Sequence, residues 1–321
     1  MDHDDAVARV KQTLQIDRVA VEVIATLSSA GVESILLKGA SFAGLLYPQG
    51  GRVYGDVDLL VSRPDLPRAA AVLNAMGYFD GQEGFAAIER HREASTFVPT
   101  AASTRSSVTV DLHANLHWLP DADRTWRVLR SETEEMTLGR GPVQILNVAA
   151  RAMHVALHAS HHGLDGPQPH GQGGQTGEDL RRAVRVIGRT DWAHAGEIAS
   201  RIGASEAFTA GVCMDPAGVA LAESLGWPFV DVNGLWQQRA PFHLQHARGA
   251  LTFHRLTEAR SRREKLAVVA RWAVPSRARA RAVADSAFGR RSLFGAYVEY
   301  WFDALYAVPR ALRSSRRLPR G

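Results

Sequence analysis

The sequence is poor in cysteine and has no long uncharged runs. Cys213 is the single cysteine among 321 residues, so neither an internal disulfide framework nor a cysteine-based zinc ribbon can form. No window of about 18 residues is free of charge, which predicts that the chain has no membrane-spanning helix. The N-terminal residues are acidic and polar and lack the apolar stretch of a secretory signal. We therefore expect a cytoplasmic protein without stable membrane insertion.

Lysine is also scarce, because only three of the 38 basic residues are lysine. The basic residues are unevenly placed: residues 248–321 contain 17 of them beside 5 acidic ones, whereas residues 1–247 contain 21 beside 28. A basic segment of this kind either binds an anion, such as RNA, acidic lipid or polyphosphate, or forms the solvated face of helices. Basic faces are common and clustering alone is weak evidence for binding, so the second interpretation is favoured.

The first part of the chain alternates between helical and strand-like patterns. Apolar side chains at helical spacing predict helices over residues 5–29, 40–47 and 66–76. Short apolar runs that are typical of buried strands lie at residues 34–37, 56–61, 94–98 and 108–112. This mixture predicts a small mixed β-sheet flanked by helices over residues 1–145.

The second part of the chain is predicted to be helical. Helical spacing recurs at residues 148–162, 179–187, 193–202, 207–225 and 242–256. The glycine-rich residues 163–177 predict a mobile loop, which is a candidate lid over a cleft between the two parts. The fold class is therefore α+β, with an α/β domain at 1–145 and a helical domain with a basic C-terminal segment at 146–321.

Asp56 and Asp58 lie two residues apart in the apolar run 56–61. On a strand they point to the same face, with Cα atoms roughly 6.5 Å apart. Two carboxylates this close repel each other unless a cation lies between them, and Mg²⁺ prefers carboxylate and phosphate oxygens. The spacing alone is weak evidence, because Asp2/Asp4 and Asp121/Asp123 share it.

Asp111 adds a third carboxylate, because it lies among β-branched residues in the strand-like run 108–113. A buried carboxylate without a partner is costly, so it either faces water at a strand end or takes part in a site. If this strand neighbours Asp56 and Asp58, the three carboxylates converge on a site for two metal ions.

The residues around these acids resemble a known family. The matching positions are Leu37-Lys38-Gly39-Ala40, Tyr47-Pro48, Arg52, 56–61, Leu73, Gly77-Tyr78 and 110–117. They are similar to the uncharacterised nucleotidyltransferase family of the polymerase-β-like superfamily. Its helical part is similar to residues 154–163, Glu178-Asp179-Leu180 and Asp191-Trp192. The likeness covers roughly residues 20–230, with a weaker match at Pro275-Ser276.

The resemblance implies the metal-binding residues and the chemistry. Asp56, Asp58 and Asp111 would ligate two Mg²⁺ ions, and Asp111 would help to activate the acceptor hydroxyl as a base. The reaction implied is transfer of a nucleoside monophosphate from an NTP to a hydroxyl or phosphate acceptor, with release of pyrophosphate. The acceptor, whether a small molecule, a peptide, a protein or RNA, is not implied, and neither is the oligomeric state.

The resemblance also implies the nucleotide-binding residues. Gly39 and Ser41 would occupy the phosphate turn of the superfamily, although this sequence has Lys-Gly-Ala-Ser where the superfamily has Gly-Ser. Lys38 and Arg52 are candidate triphosphate contacts. The alternatives are a strand-end lysine and an exposed loop arginine, since long cationic side chains often extend into solvent.

Histidines form a second feature. His154, His158 and His162 follow one another at intervals of four, which places them on one helical face. They could bind a metal, line the substrate cleft, or pack in the helical part, and their spacing does not decide between these. His113 lies in the strand with Asp111 and could meet the substrate.

Two other classes of function remain compatible with the sequence. The chain could be a binding module that senses nucleotide or binds a partner without catalysis, although the intact acids favour an enzyme. It could also be a phosphotransferase, because attack at the γ-phosphate needs the same metal and triphosphate.

Overall fold

A computed structural model describes residues 3–48, 50–80, 94–99, 108–116, 119, 121–162, 172–230 and 261. The strands are β1 (Ser34–Leu36), β2 (Asp56–Val61), β3 (Tyr78–Asp80), β4 (Ala94–Pro99), β5 (Thr109–His113), β6 (Thr133–Leu138) and β7 (Gly141–Leu146). The helices are α1 (His3–Ser29), α2 (Ala40–Leu46), α3 (Leu66–Ala75), α4 (Ala122–Arg130), α5 (Val148–His162), α6 (Gln172–Val186), α7 (Arg189–Arg201), α8 (Ser205–Val212) and α9 (Pro216–Ser224).

The described strands form one seven-stranded sheet in the order β3-β4-β5-β2-β1-β7-β6. The pairs β2–β5 and β1–β7 are parallel, and the other neighbours are antiparallel, so the sheet is mixed. Strand β2 lies at its centre, and Val57 through Val61 are buried. The predicted α+β class is confirmed.

Helices cover both faces of the sheet. Neighbouring residues along a strand point to opposite faces, so each face has apolar side chains that pack against helices. Leu36 and Leu59 belong to a core cluster that also contains residues of α1 and α3. Leu37 and Leu60 belong to a second cluster, which contains residues of α2, α5, α7 and α8. Helix α5 is the centre of this second layer, where it packs against α6, α7 and α8.

Gly211 permits the closest of these helix contacts. A Cβ atom built at Gly211 would lie 1.9 Å from the carbonyl oxygen of Ala156, so only glycine allows α8 to approach α5 this closely. The small residues Ala152, Ala156 and Ala159 of α5 are buried, which lets its neighbours approach the helix backbone.

Several sequence-based boundaries are confirmed and others are wrong. Helix α5 has the predicted bounds, whereas the helix predicted over 207–225 is two helices, α8 and α9. Pro216 has no backbone N–H and Asp215 caps α9 by accepting a hydrogen bond from Ala217, which explains the break. The loop predicted over 163–177 is wrong for residues 172–177, which belong to α6, and residues 163–171 lie outside the described part.

The remaining predictions concern the domains and the basic segment. One core cluster joins β1 and β2 to helices beyond residue 146, and the division into 1–145 and 146–321 stays a prediction. The helix predicted over 242–256 and the basic segment from residue 248, apart from Ser261, lie outside the described residues. Among the described helices, none is both long enough and apolar enough to cross a membrane.

Candidate active site

The acidic residues meet on the two central parallel strands. In the register of β2 and β5, Asp58 pairs with Asp111 and Asp56 pairs with Thr109. Side chains alternate along a strand, so Asp56, Asp58, Asp111 and His113 share one face of the sheet. This is the face that packs against α5, because Leu60, on the same side of β2, belongs to the α5 cluster.

Asp58 is the electrostatic centre of the site. Its side chain is 4% exposed, and its Oδ1 atom lies 2.9 Å from Nζ of Lys38 and 3.0 Å from Nε2 of His113. Burial alone would raise the pKa of Asp58, but the attraction of Lys38 and the hydrogen bond from His113 outweigh it and hold the pKa well below its usual range. Asp58 is therefore a charged carboxylate that is paired with the ammonium of Lys38.

Lys38 is held charged by the same contact. Burial would lower the pKa of Lys38, yet the charge of Asp58 and their hydrogen bond raise it above its usual value. The pKa of Asp56 shifts in the opposite direction to that of Asp58. Burial and the nearby negative charge of Asp58 raise the pKa of Asp56 to about 6. The single ammonium thus does not neutralise both aspartates of β2.

Three side chains of this face could hold a metal ion together. One ligand atom each of Asp58, Asp111 and His113 lies within 4.8 Å of the others. Carboxylate oxygens suit Mg²⁺ and Mn²⁺, whereas an imidazole nitrogen is more typical of Zn²⁺ or Fe²⁺ sites. The donor set fits a divalent cation, and the Lys38 ammonium shows that Asp58 accepts positive charge here. Asp56 lies on the same face, but it is not one of these three residues.

The Lys38–Gly39 turn brings the ammonium to Asp58. The backbone N–H of Leu37 donates to the carbonyl of Asp58 at 3.0 Å, so β1 and β2 remain joined up to the turn. Gly39 has φ 63°, a conformation that favours glycine, and it is the N-cap of α2. A Cβ atom at Gly39 would lie 3.4 Å from the ring of Tyr54, which closes the turn from one side.

Ser41 lies inside the protein. Its side chain is fully buried, and among the described residues its hydroxyl has no hydrogen-bond partner. Its backbone N–H donates to the carbonyl of Lys38 at 3.3 Å, and its carbonyl accepts from Arg151 at 3.0 Å. The contact of Ser41 with nucleotide stays a prediction. Such a contact would require a nucleotide to reach the Ser41 hydroxyl, which is buried in this structure.

Arg52 contacts Asp179, a residue that belongs to the family likeness but was given no role from the sequence. Its Nη2 atom lies 2.9 Å from Oδ2 of Asp179 on α6, and its Nε atom lies 3.2 Å from Oδ1. The side chain of Arg52 is 6% exposed, so the alternative of an exposed loop arginine is wrong. Its contact with triphosphate stays a prediction.

His154 of α5 lies beneath the site. It is buried, and burial together with the positive charge of Lys38 lowers its pKa to about 3, so it is neutral. Its ring contacts Phe42 edge-on at a centroid distance of 5.4 Å and His158 at 6.2 Å. His154 is thus packed in the core beside the acidic face, and the side chain of His162 lies outside the described residues.

The sequence analysis gave Asp179 no role, and for His113 it predicted only that this residue could meet the substrate. His113 follows Asp111 by two positions, so the strand period alone could have placed it on the acidic face. No local signal identifies Asp179, because its partner is 127 positions away in the chain.

The match of a family model over most of the described sheet and helices places the chain in the class of nucleotidyltransferases. The family model described as uncharacterised nucleotidyltransferase matches residues 4–214, more than half of the chain, and the chain belongs to this family. The resemblance inferred from the sequence is thereby confirmed.

Solved structures offer a more distant comparison. The chain is similar to an antigenic nucleotidyltransferase-like protein from Paracoccidioides brasiliensis, with 14% identity and a TM-score of 0.39. The match covers 68% of this chain and 95% of that chain. No curated protein matches the sequence.

Proposed function

We propose that the protein is a Mg²⁺-dependent nucleotidyltransferase that transfers a nucleoside monophosphate from an NTP to a hydroxyl or phosphate acceptor and releases pyrophosphate. The observation that carries the proposal is the pairing of Asp58 with Asp111 across two parallel strands, with His113 within reach of both. Membership of the nucleotidyltransferase family supports the class of reaction.

Asp56, Asp58 and Asp111 are the proposed metal ligands, and His113 is a further donor. A divalent ion bound there would neutralise charge on the triphosphate and on the pyrophosphate that leaves. Asp111 is the proposed base that accepts the proton of the acceptor hydroxyl. Because Asp58 is nearly completely buried, the protein keeps bulk water away from this carboxylate, which strengthens its interaction with cations.

The positive charge of the site comes from Lys38, which lies next to the turn at Gly39. Lys38 is the proposed contact for triphosphate oxygens, since its ammonium lies beside the carboxylates that would hold the metal. Gly39 provides the positive φ that the turn beside Lys38 needs, and its backbone is the proposed phosphate contact. The resemblance also implies contacts of Ser41 and Arg52 with nucleotide; these stay predictions, and the proposal does not depend on them.

The test is label transfer with the purified protein. We would incubate it with each NTP, labelled with ³²P at either the α- or the γ-phosphate, with Mg²⁺ or Mn²⁺ and a cell extract as the source of acceptor. Transfer of the α-label with release of pyrophosphate is expected for the wild type. The Asp58→Asn variant should lose at least about 100-fold in rate, the scale of one removed electrostatic group at a reacting centre.

The matched control comes from the other internal Asp-x-Asp pair. Asp121 is an exposed helix N-cap, and asparagine caps as well as aspartate does, so Asp121→Asn should retain full activity. Transfer of the γ-label instead would show a phosphotransferase. Nucleotide binding without any transfer would point to a sensing module, and equal transfer by Asp58→Asn and wild type would refute the assignment of the site.

A further inference from the structure

Asp179 on α6 is a buried carboxylate in which both oxygens accept hydrogen bonds. It is 1% exposed. The hydroxyl of Tyr47 donates to Oδ1 at 2.8 Å and the amide of Gln175 donates to the same atom at 3.0 Å. Arg52 approaches with two nitrogens, in the forked geometry that makes arginine–carboxylate pairs strong and directional. A carboxylate with so many partners fixes the position of each of them.

The guanidinium of Arg52, which pairs with Asp179, lies next to the Lys38–Gly39 turn. Nη1 of Arg52 is 3.5 Å from the carbonyl oxygen of Gly39, and the guanidinium carbon is 5.3 Å from the centre of the Phe42 ring. Arg52 therefore contacts both the turn and the first residues of α2. The ring of Tyr54 supports Gly39 from another side, and its hydroxyl donates to Asp17 of α1 at 2.6 Å.

We propose that Asp179 is a positioning residue of the active site: through Arg52 it fixes the Lys38–Gly39 turn, and with it the Lys38 ammonium. Helix α6 thus contributes to nucleotide binding without touching the nucleotide. The inference rests on the proposed function. It assigns Arg52 a supporting role behind the turn in place of direct contact with the triphosphate.

Burial and charge favour support over direct contact. Arg52 is 6% exposed, and its Nε and Nη2 atoms already face the carboxylate of Asp179. Phosphate would have to compete with a buried carboxylate for the same nitrogens. Lys38 is more exposed, at 18%, and its ammonium lies at the acidic face itself. Lys38 is therefore the cation that is placed to meet a triphosphate, and Arg52 is the cation that holds the turn.

The experiment compares Asp179→Asn, Arg52→Lys and the double variant with the wild type. The readouts are KM and kcat for the NTP, the melting temperature, and the dissociation constant of the four α,β-methylene NTPs measured by calorimetry with Mg²⁺. Both single variants should weaken nucleotide binding and raise KM by about 10- to 100-fold, the range for one lost hydrogen bond to a charged group. The double variant should be no worse than either single variant, because both changes break the same support.

Glu132→Gln is the matched control. Glu132 is also buried, pairs with Arg201 at 2.8 Å and accepts from Asn147 at 3.0 Å. Among the described contacts, none joins Glu132, Arg201 or Asn147 directly to the Lys38–Gly39 turn or to Arg52. We expect Glu132→Gln to lower the melting temperature without changing KM or the dissociation constant.

Three results would overturn the inference. An unchanged dissociation constant in Asp179→Asn, with a melting temperature lowered as in Glu132→Gln, would show a merely structural role. A rise in KM for Arg52→Lys but not for Asp179→Asn would show direct phosphate contact by Arg52. Absence of nucleotide binding in the wild type would refute the proposed function itself, and the positioning role with it.

A milder variant keeps the test valid if Asp179→Asn does not fold. Tyr47→Phe removes one of the donors that orient the Asp179 carboxylate, so it should weaken the hold of Asp179 on Arg52 without removing it. A rise in KM that is smaller than that of Arg52→Lys supports the proposal, and an unchanged KM contradicts it.

Discussion

Among single residues, the two aspartates of β2 differ most in their electrostatic state. Lys38 and His113 both contact Asp58, and the pKa of Asp58 is held low. Asp56 is two residues away on the same face, and burial and the charge of Asp58 raise its pKa to about 6. The site therefore carries more negative charge at neutral pH than its own cations neutralise, which is the state expected of a site that binds a further cation.

A prediction at this scale concerns Asp56 and pH. Its pKa is about 6 in the folded protein against 3.8 ordinarily, so the folded state binds this proton more tightly than the unfolded state does. The resulting stabilisation is fully present below pH 3.8 and is lost as the pH rises through about 6. At pH 8 the charged carboxylate destabilises the metal-free protein, so Asp56→Asn should raise its stability by on the order of 1–2 kcal/mol.

Thermal melts in EDTA at a series of pH values measure this effect. The difference between Asp56→Asn and wild type should shrink as the pH falls towards 4, and the exposed Asp123→Asn should show no such difference. Mg²⁺ should stabilise the wild type more than Asp56→Asn. A variant less stable than wild type at pH 8 would show that Asp56 is not a repelled carboxylate.

At the scale of elements, the contact of α5 with α8 determines how closely the helical layer packs. Gly211 is the residue that permits it, because the backbone of Ala156 occupies the space that a side chain would need. Helix α5 carries His154 beneath the site, and Arg151 of the same helix donates to the carbonyl of Ser41 at 3.0 Å. A shift of α5 would therefore also displace groups around the Lys38–Gly39 turn.

Gly211→Ala should separate these two helices. The added methyl group would lie 1.9 Å from the Ala156 oxygen, which forces a backbone shift and should cost about 1–3 kcal/mol of unfolding free energy. Gly177→Ala on α6 is the control, since a Cβ atom there meets nothing within 4 Å and alanine favours the helix by about 0.5–1 kcal/mol. Urea unfolding of both variants measures the two effects, and equal stability of Gly211→Ala and wild type would contradict the close approach.

At the scale of the whole molecule, the sheet and the helical layer share one apolar core. Leu60 of β2 and Met153 of α5 are fully buried members of the same cluster, which also contains Phe42 of α2 and Phe208 of α8. Helix α5 thus covers the face of the sheet that carries the acidic residues. Large apolar surfaces buried between two layers favour unfolding as one unit.

Hydrogen exchange tests this cooperativity. Backbone amides at the centre of β2, such as Leu59 and Leu60, and of α5, such as Met153 and Ala156, should exchange with the same opening free energy, equal to that of global unfolding. Separate values for the two groups, with α5 opening before β2, would show that the predicted boundary near residue 145 separates independently stable domains.

Local patterns predicted most of the elements that carry the site. The apolar run of β2 and the helical spacing of α5 have the predicted bounds. Strands β6 and β7 were not predicted. Strand β6 is polar and partly exposed, so it lacks a clear alternation, whereas β7 does alternate between buried and exposed residues and was missed. The helix predicted over 207–225 runs through Pro216. In the structure α8 ends before this residue, and α9 begins at Pro216 with Asp215 as its N-cap.

The sequence by itself determined the chemistry of the site: the acids two residues apart on a buried strand, and a lysine and glycine that follow β1. Those features are local, so periodicity and residue type suffice to identify them. The tertiary structure alone decided that Asp111 lies beside Asp58 and that Arg52 turns to Asp179. Strand register and pairing across more than a hundred residues depend on how the whole core packs, which no local pattern encodes.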